Sequence, residues 1–246
     1  MPYLNLNGDE QFMFAVAVAI LSGVIRGFSG FGAGLIMAPL LALIYGPADT
    51  VVIVMFTVFV GSLQMIPAAM PLATKRDLLP IIISLVPATP IGVYALITVD
   101  PDMMRRLIGG FVLISAIIML RGWSYTGARN AYISFTAGIV SGLANGAGAV
   151  GGPPTTLYLI SSDEPAAVKR ANITILSTVM AIMTVIPLAI SGMITTKHLL
   201  HSAALLIPFI SAIILGGYLF GRTNDRVYRL VSLWFLIAVG LTVVIL

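Results

Sequence analysis

The chain has 246 residues, of which 59% are apolar and 9% are charged, and its mean hydropathy is +1.07. Because a soluble domain carries roughly 25% charged residues, this composition excludes a soluble protein and predicts an integral membrane protein. The chain has no cysteine, which excludes disulfides, thiolate chemistry and soft-metal sites built on cysteine. The formal charge of +4 comes from loop Lys and Arg, and it indicates membrane topology and contact with membrane lipids, not with nucleic acid.

Two glycine-rich segments interrupt apolar stretches, one in each half of the chain. Residues 12–45 are split at 27–34, and residues 131–161 are split at 142–154. A continuous helix over 12–45 would be about 51 Å long, which is too long for one crossing, and two crossings with a turn need more residues. We therefore predict helices of about 10–16 residues on each side of each break. Each pair would form a hairpin that enters the membrane and returns.

Six other apolar runs have the length of ordinary membrane-spanning helices, about 20 residues for 30 Å of hydrocarbon. These runs cover residues 51–72, 78–98, 104–121, 171–193, 199–220 and 227–246. Seven prolines lie inside them, namely Pro67, Pro71, Pro80, Pro87, Pro90, Pro187 and Pro208. Neighbouring helices can satisfy the carbonyls that proline frees, so we expect kinks at these prolines, not helix ends.

Matching residues recur in the same order in the two halves, with a slowly drifting offset. The matched pairs are Gly23/Gly138, Gly27/Gly142, Gly30/Gly146, Gly32/Gly148, Pro39/Pro153, Pro87/Pro208, Tyr94/Tyr218 and Arg105/Arg229. Such a series indicates an internal duplication. We predict an all-α protein of two repeats, 1–122 and 123–246, each with one hairpin and three spans.

The distribution of Lys and Arg discriminates between two topologies. If each broken region crossed the membrane once, the cations would divide almost evenly between the two faces. If each region returns to its own side, nine cations share one face and three lie on the other. The nine are Lys75, Arg76, Arg121, Arg129, Lys169, Arg170, Arg222, Arg226 and Arg229. The positive-inside rule favours this second topology, in which the second repeat is inverted and both termini face outward.

All nine carboxylates lie at the edges of the apolar runs or between them. They are Asp9, Glu10, Asp49, Asp77, Asp100, Asp102, Asp163, Glu164 and Asp225. No acid is therefore placed inside the membrane where a proton relay or a cation site would need it. No catalytic triad, phosphate-binding loop or zinc motif is present either, so we predict no enzyme, no cofactor and no metal.

Arg26 is the sharpest candidate for a functional residue. It closes the apolar run 12–25 beside the first break, where a cation is costly and needs a partner or an aqueous cavity. With no membrane carboxylate available, a substrate anion would serve as that partner. The alternative is that Arg26 snorkels or caps carbonyls of the broken helix.

Inverted repeats with discontinuous helices aim half-helix N-termini at an anion near the midplane. The predicted substrate-binding residues are Arg26, Ser29, Gly30, Gly32, Gln64, Asn145, Gly146, Gly148, Thr155 and Thr156. Glycines at GxxxG spacing, Gly23/Gly27 and Gly138/Gly142, indicate close helix packing instead. Asn145 and Thr155 have the alternative role of satisfying backbone at the break.

The two breaks resemble the TauE/SafE (TSUP) family of sulfite exporters. The resemblance rests on GFSGFGAGLIMAPLL at 27–41, on GLANGAGAVGGPPTTLYL at 142–159, and on the duplication over essentially the full length. It implies a small multi-pass carrier of sulfite, sulfoacetate or related organosulfonates in the inner (plasma) membrane of a prokaryote. The chain departs from the commonest second-half pattern at Ala149-Val150 and at the double proline 153–154.

We therefore predict an exporter of small sulfur-containing anions that works by alternating access, with the anion bound at the hairpin tips. An inside-negative membrane drives an anion outward with about 2.3 kcal/mol per charge per 100 mV, so export needs no proton relay. An anion channel and a non-transporting membrane assembly factor are the alternatives. A homodimer is left open.

Overall fold

The computed structural model of the chain describes residues 8–121, 125, 127, 130–224, 227 and 234, and all regular structure in them is helical. The helices are α1 Gly8–Ser29, α2 Ala33–Tyr45, α3 Pro47–Leu63, α4 Ile66–Ala69, α5 Lys75–Thr98, α6 Pro101–Leu120, α7 Ala131–Gly148, α8 Gly152–Ile160, α9 Ala166–Ile190 and α10 Thr196–Gly221. A 3-10 turn, Met70–Leu72, follows α4. The predicted span 227–246 falls almost entirely outside the described residues.

Four of these helices are long and apolar enough to cross a membrane, which confirms the class of all-helical membrane protein. They are Gly8–Ser29, Leu78–Thr98, Ala166–Ile190 and Thr196–Gly221. Five of the seven prolines lie inside continuous helices, as expected: Pro80, Pro87, Pro90, Pro187 and Pro208.

The span predicted at 51–72 is not one helix. α3 ends at Leu63, and the chain bends by 60° before α4 and the 3-10 turn. Pro67 and Pro71 are each the second residue of these short elements, where the missing N–H costs nothing and the ring meets no preceding turn. The expectation of a kink instead of a helix end was therefore wrong for these two prolines.

Both glycine-rich breaks are present, but the first arm of each hairpin is longer than predicted. α1 has 22 residues and α7 has 18, whereas arms of about 10–16 residues were predicted. The breaks proper fall at 30–32 and 149–151. The helices continue through Gly27 and Gly142 because these glycines pack against a neighbouring helix and do not turn the chain.

Glycines join α1 to α10 by direct backbone contact. A Cβ on Gly27 would lie 2.1 Å from the carbonyl oxygen of Ile213, and one on Gly216 would lie 2.0 Å from that of Val24. A Cβ on Gly23 would lie 2.6 Å from the Phe209 carbonyl oxygen. No other residue type fits at these distances, so the α1–α10 seam requires glycine.

A second seam of the same kind joins α7 to α5. A Cβ on Gly146 would lie 2.2 Å from the carbonyl oxygen of Thr89, and one on Gly92 would lie 2.2 Å from that of Leu143. Gly138 packs in the same way on Ile81, with 2.5 Å to the carbonyl oxygen. The two seams confirm close helix packing as the role of the glycines at GxxxG spacing.

Within each seam the two helices run parallel, because residue numbers rise together along both partners. Because α1 and α10 run parallel, they start at the same end of the bundle. The ring of Tyr45 at the end of α2 lies 5.2 Å from that of His201 at the start of α10, so the first hairpin returns to the end where it began. The second hairpin also returns, because the amide of Tyr125 before α7 donates to Ser161 Oγ after α8 at 2.9 Å.

The two hairpins open at opposite ends of the helical bundle. α3 begins next to the start of α10, where His198 Nε2 lies 3.2 Å from Asp49 Oδ1. α3 and α4 then lead to Thr74, whose amide donates to Asn172 Oδ1 at 2.8 Å near the start of α9. α5 therefore starts at the far end, and so does α7, which runs parallel to it.

A single residue, Gly46 with φ 79°, separates α2 from α3.

We expect Gly27→Ala to destabilise the protein strongly, because the new methyl group would collide with backbone that no rotamer change can move. The cost should reach the upper end of the about 1–3 kcal/mol typical of overpacking. Thermal unfolding of the purified protein in detergent measures it. Gly110→Ala on α6 is the control, since its added Cβ has no atom of the described residues within 4 Å beyond its own stretch of helix. An equal loss of stability in both variants would contradict the seam.

Candidate functional site

The two glycine-rich tips touch at the centre of the bundle. A Cβ on Gly34, in the first turn of α2, would lie 1.9 Å from the carbonyl oxygen of Ala149. Gly30 and Gly32 have φ of 85° and 92°, and Ala149 has φ of 60°. These left-handed conformations turn the chain sharply at each break, so the following helix can start at the contact point.

A cavity of about 30 Å³, the central cavity, lies at this contact. Its wall is formed by the two tips, by Met55 and Val58 of α3, and by Ser177 and Met180 of α9. This volume holds one or two water molecules, since a water needs at least about 10–15 Å³. An oxyanion with four heavy atoms is larger, so the cavity has to widen before it admits one.

Two helices begin at the wall of the central cavity. Ala33 and Gly34 open α2, and Gly152 opens α8. No side chain caps either N-terminus. The first amides of a helix lack intrahelical acceptors and carry the positive end of its dipole, so two partial positive charges face the same small space.

Arg26 contributes a full positive charge to this space. Its side chain is 1% exposed, and its Nη2 donates to Ser62 Oγ, which in turn donates to the Val58 carbonyl. Arg26 Nε has no hydrogen-bond partner, and no carboxylate of the described chain pairs with this side chain. Arg26 therefore neither snorkels to the surface nor caps a carbonyl, and its charge is not neutralised.

Asn145 lies on the opposite tip and lines the same cavity. Its Nδ2 donates to Thr184 Oγ1 at 2.8 Å and to the Met180 carbonyl at 3.1 Å, and it lies 3.4 Å from Met55 Sδ. These bonds tie the second tip to α9. Asn145 is 4% exposed, so its amide is held rigidly at the cavity wall.

The central cavity thus brings together three of the predicted residues, Arg26, Gly32 and Asn145. The hydroxyl of Ser29 instead donates to the carbonyls of Ile25 and Phe31 at 2.8 and 2.9 Å, which stabilises the end of α1. Gly30 lies beside α9.

The other predicted residues lie outside the wall described for this cavity. Gly146 packs on α5, and Gly148 packs on the side chain of Ile108, where an added Cβ would be 2.6 Å away. Thr155 and Thr156 are buried in α8, and Thr155 Oγ1 donates to the Gly152 carbonyl at 3.1 Å. Gln64 is exposed at the bend after α3 and lines a different cavity.

Arg170 is a nearby cation that the sequence placed only among the loop charges. Its Nε and Nη2 donate to the carbonyl of Gly27 at 3.1 and 2.5 Å, one residue after Arg26. Its guanidinium carbon lies 4.5 Å from the centroid of the Phe220 ring. α9 begins at Ala166, directly after Pro165, and a helix start marked by this proline would have placed Arg170 inside the helix.

These observations define a polytopic helical membrane protein with two glycine-broken helix pairs that meet at a buried, unneutralised cation. The family model described as Sulfite exporter TauE/SafE matches residues 15–243, nearly the whole chain. The chain belongs to this family. Its members are membrane transporters, which confirms the predicted family and excludes an enzyme. Comparisons with curated proteins and with solved structures find no match.

Replacing Ser62 by Ala should destabilise the protein, because it removes the one acceptor that the described residues offer to a buried guanidinium. A hydrogen bond to a charged group contributes about 1.5–3 kcal/mol, and thermal unfolding in detergent measures its loss. The matched control is Ser22→Ala on α1, where a fully buried hydroxyl donates only to the Val18 carbonyl. Similar losses in the two variants would show that Ser62 does not support Arg26.

Proposed function

We propose that this chain exports small sulfur-containing anions, such as sulfite or sulfoacetate, with the anion bound in the central cavity. One observation carries the proposal: the buried Arg26 has an unpartnered Nε and faces two uncapped helix N-termini. An unneutralised cation in a low-dielectric interior is costly. A bound anion would remove that cost, and the family membership supplies its chemical class.

The central cavity offers an oxyanion several kinds of donor. The guanidinium of Arg26 can donate two parallel bonds to a pair of sulfur-bound oxygens. The first amides of α2 and α8 supply further donors from opposite sides, as in other anion sites at helix N-termini. Among the described residues of the wall there is no carboxylate, so a sulfonate or sulfite meets no repelling charge.

We infer that the halves 1–122 and 123–246 are inverted repeats. The α1–α10 seam is the counterpart of the α7–α5 seam, since each joins the first arm of one hairpin to the second full span of the other half. In support, both seams are parallel and glycine-packed, and the hairpins open at opposite ends of the bundle. Each hairpin thus moves as one body with a helix of the opposite repeat.

Alternating access would follow from rocking of these two bodies against each other. The bodies meet at Gly34 and Ala149, so separation of the tips widens the cavity, and the direction of rocking selects the open side. The end with Lys75, Lys169 and Arg170 faces the cytoplasm by the positive-inside rule. Both termini then face the outer side of a prokaryotic inner (plasma) membrane. An inside-negative potential drives net export of the anion.

The proposal is tested by counterflow of labelled sulfoacetate in proteoliposomes, with and without an imposed potential. We expect unlabelled anion inside the vesicles to accelerate uptake of the label, because a carrier returns faster when loaded. Flux in proportion to the gradient, without this acceleration, would establish an anion channel. Absence of flux of both sulfoacetate and sulfite from folded protein would overturn the proposed substrate class and leave another carboxylate or phosphonate substrate, or a non-transporting role.

Arg26→Met should abolish counterflow and leave the melting temperature unchanged or raised. Removal of a buried charge relieves its desolvation, and replacement of buried ions by apolar side chains of similar size is often neutral or stabilising. Ser62 keeps its bond to the Val58 carbonyl and is not orphaned.

The matched control is Arg222→Met. Arg222 lies over the ring of Tyr218, 4.0 Å from the centroid, at the end of α10 and outside the wall of the central cavity. We expect its exchange rate to stay within about twofold of the parent chain, as for a surface charge. A folded Arg26→Met protein with normal exchange would overturn the assignment of the anion to the central cavity.

A further inference from the structure

A second cavity, the vestibule, lies between the bend after α3 and the start of α9, close to the end of α10. Its volume is about 300 Å³, ten times that of the central cavity. The polar side chains in its wall are those of Gln64, Arg170 and Thr174. Arg170 is the one ionisable residue of this wall within the described chain. The space is large enough for a small organic anion with some of its water.

One face of α9 connects the vestibule to the central cavity. Arg170 and Thr174 line the vestibule, and Ser177 lines the central cavity. Their spacing of four and then three residues places them in a row along the helix. The row therefore presents a charged group and two hydroxyls in succession, from the end of the bundle to its centre.

The backbone of Gly30 contacts residues that line both cavities. A Cβ on Gly30 would lie 2.9 Å from the Arg170 carbonyl oxygen and 2.9 Å from Thr174 Oγ1. On the other side Ser177 Oγ donates to the Gly30 carbonyl at 3.4 Å. Gly30 thus lies between the vestibule residues Arg170 and Thr174 and the central-cavity residue Ser177, at the tip of the first hairpin.

We propose that the vestibule is a second anion site, where Arg170, Thr174 and Gln64 hold a sulfonate or sulfite group before it passes Gly30. The proposal rests on transport of such anions by this chain, but its residues are distinct from those of the central cavity. The guanidinium carbon of Arg170 lies 4.5 Å over the centroid of the Phe220 ring. This contact and the bonds from Nε and Nη2 to the Gly27 carbonyl limit the orientations of the guanidinium, and guanidinium N–H groups suit the oxygens of a sulfonate or sulfite group.

The test uses the absence of cysteine from the chain. Ala167 is exposed and lines the vestibule, so Ala167→Cys places a single thiol there. Labelling of this variant with a maleimide is followed in nanodiscs, with and without sulfoacetate, which does not react with maleimides. Met70→Cys is the control, because Met70 is 69% exposed and lies outside the described wall.

We expect saturating sulfoacetate to slow labelling of Ala167→Cys at least threefold and to leave labelling of Met70→Cys unchanged. Adding Arg170→Gln should abolish this protection. Arg170→Gln also removes the hydrogen bond to the Gly27 carbonyl and could act by disturbing the fold. Arg170→Lys and Thr174→Val are therefore tested as well. Each should raise the half-protecting concentration several-fold in protein that keeps its melting temperature. Unchanged protection in all three variants, or no protection of Ala167→Cys, would overturn the proposal.

Arg26→Met separates this proposal from the central site. If it abolishes counterflow and Ala167→Cys remains protected, both sites stand. If it transports normally and protection still depends on Arg170, the vestibule stands and the central assignment fails. If it abolishes counterflow and sulfoacetate does not protect Ala167→Cys, the vestibule proposal fails alone.

Discussion

Backbone contact at glycine is the interaction on which the rest of the structure depends. Lipid is as apolar as the side chains, so helices in a membrane gain nothing from burial alone and associate through close packing. Here the α1–α10 and α5–α7 seams bring carbonyl oxygens to where a Cβ would otherwise be, as at Gly27 and Gly216. The same residue type lets the two tips touch at Gly34. Without these contacts there would be no central cavity.

Charge placement follows from that scaffold. Once two helix N-termini are fixed at the centre, their dipoles favour an anion there. A carboxylate of the chain would be the cheapest anion to provide, but it would occupy the space permanently. The chain instead adds a further cation, Arg26, whose side chain bonds to Ser62 within the described structure. The described interior therefore holds a positive charge that no carboxylate of the chain compensates, as the anion site that we propose requires.

The sequence could predict the features that depend on local composition. Local sequence predicts both glycine-rich breaks, the long apolar spans and the buried position of Arg26. Glycine runs and cations beside apolar runs are rare patterns, so each stands out without knowledge of the fold. The route of the helices through Gly27 and Gly142 could not be predicted. Whether a glycine turns the chain or packs against a neighbour depends on what lies opposite, and that helix is distant in sequence.

Proline and arginine show the same limit. Pro80 and Pro67 look alike in the sequence, yet α5 continues through Pro80 and the chain breaks before Pro67. Arg170 was assigned to a loop by its position before an apolar run. In the fold it bonds the Gly27 carbonyl of the other half, and only the tertiary arrangement brings these two residues together.

The connection between α2 and α3 has a mechanical consequence. Gly46 alone separates the helices, so the join contains no slack, and any sliding of α2 along its axis must pull or push α3. α3 carries Met55, Val58 and Ser62, which shape the central cavity and hold Arg26. Movement of α2 is thus coupled to movement of the α3 residues in the cavity wall. A displacement at the tip of the first hairpin therefore reaches Arg26 through α1, which carries it, and through α3, which carries Ser62.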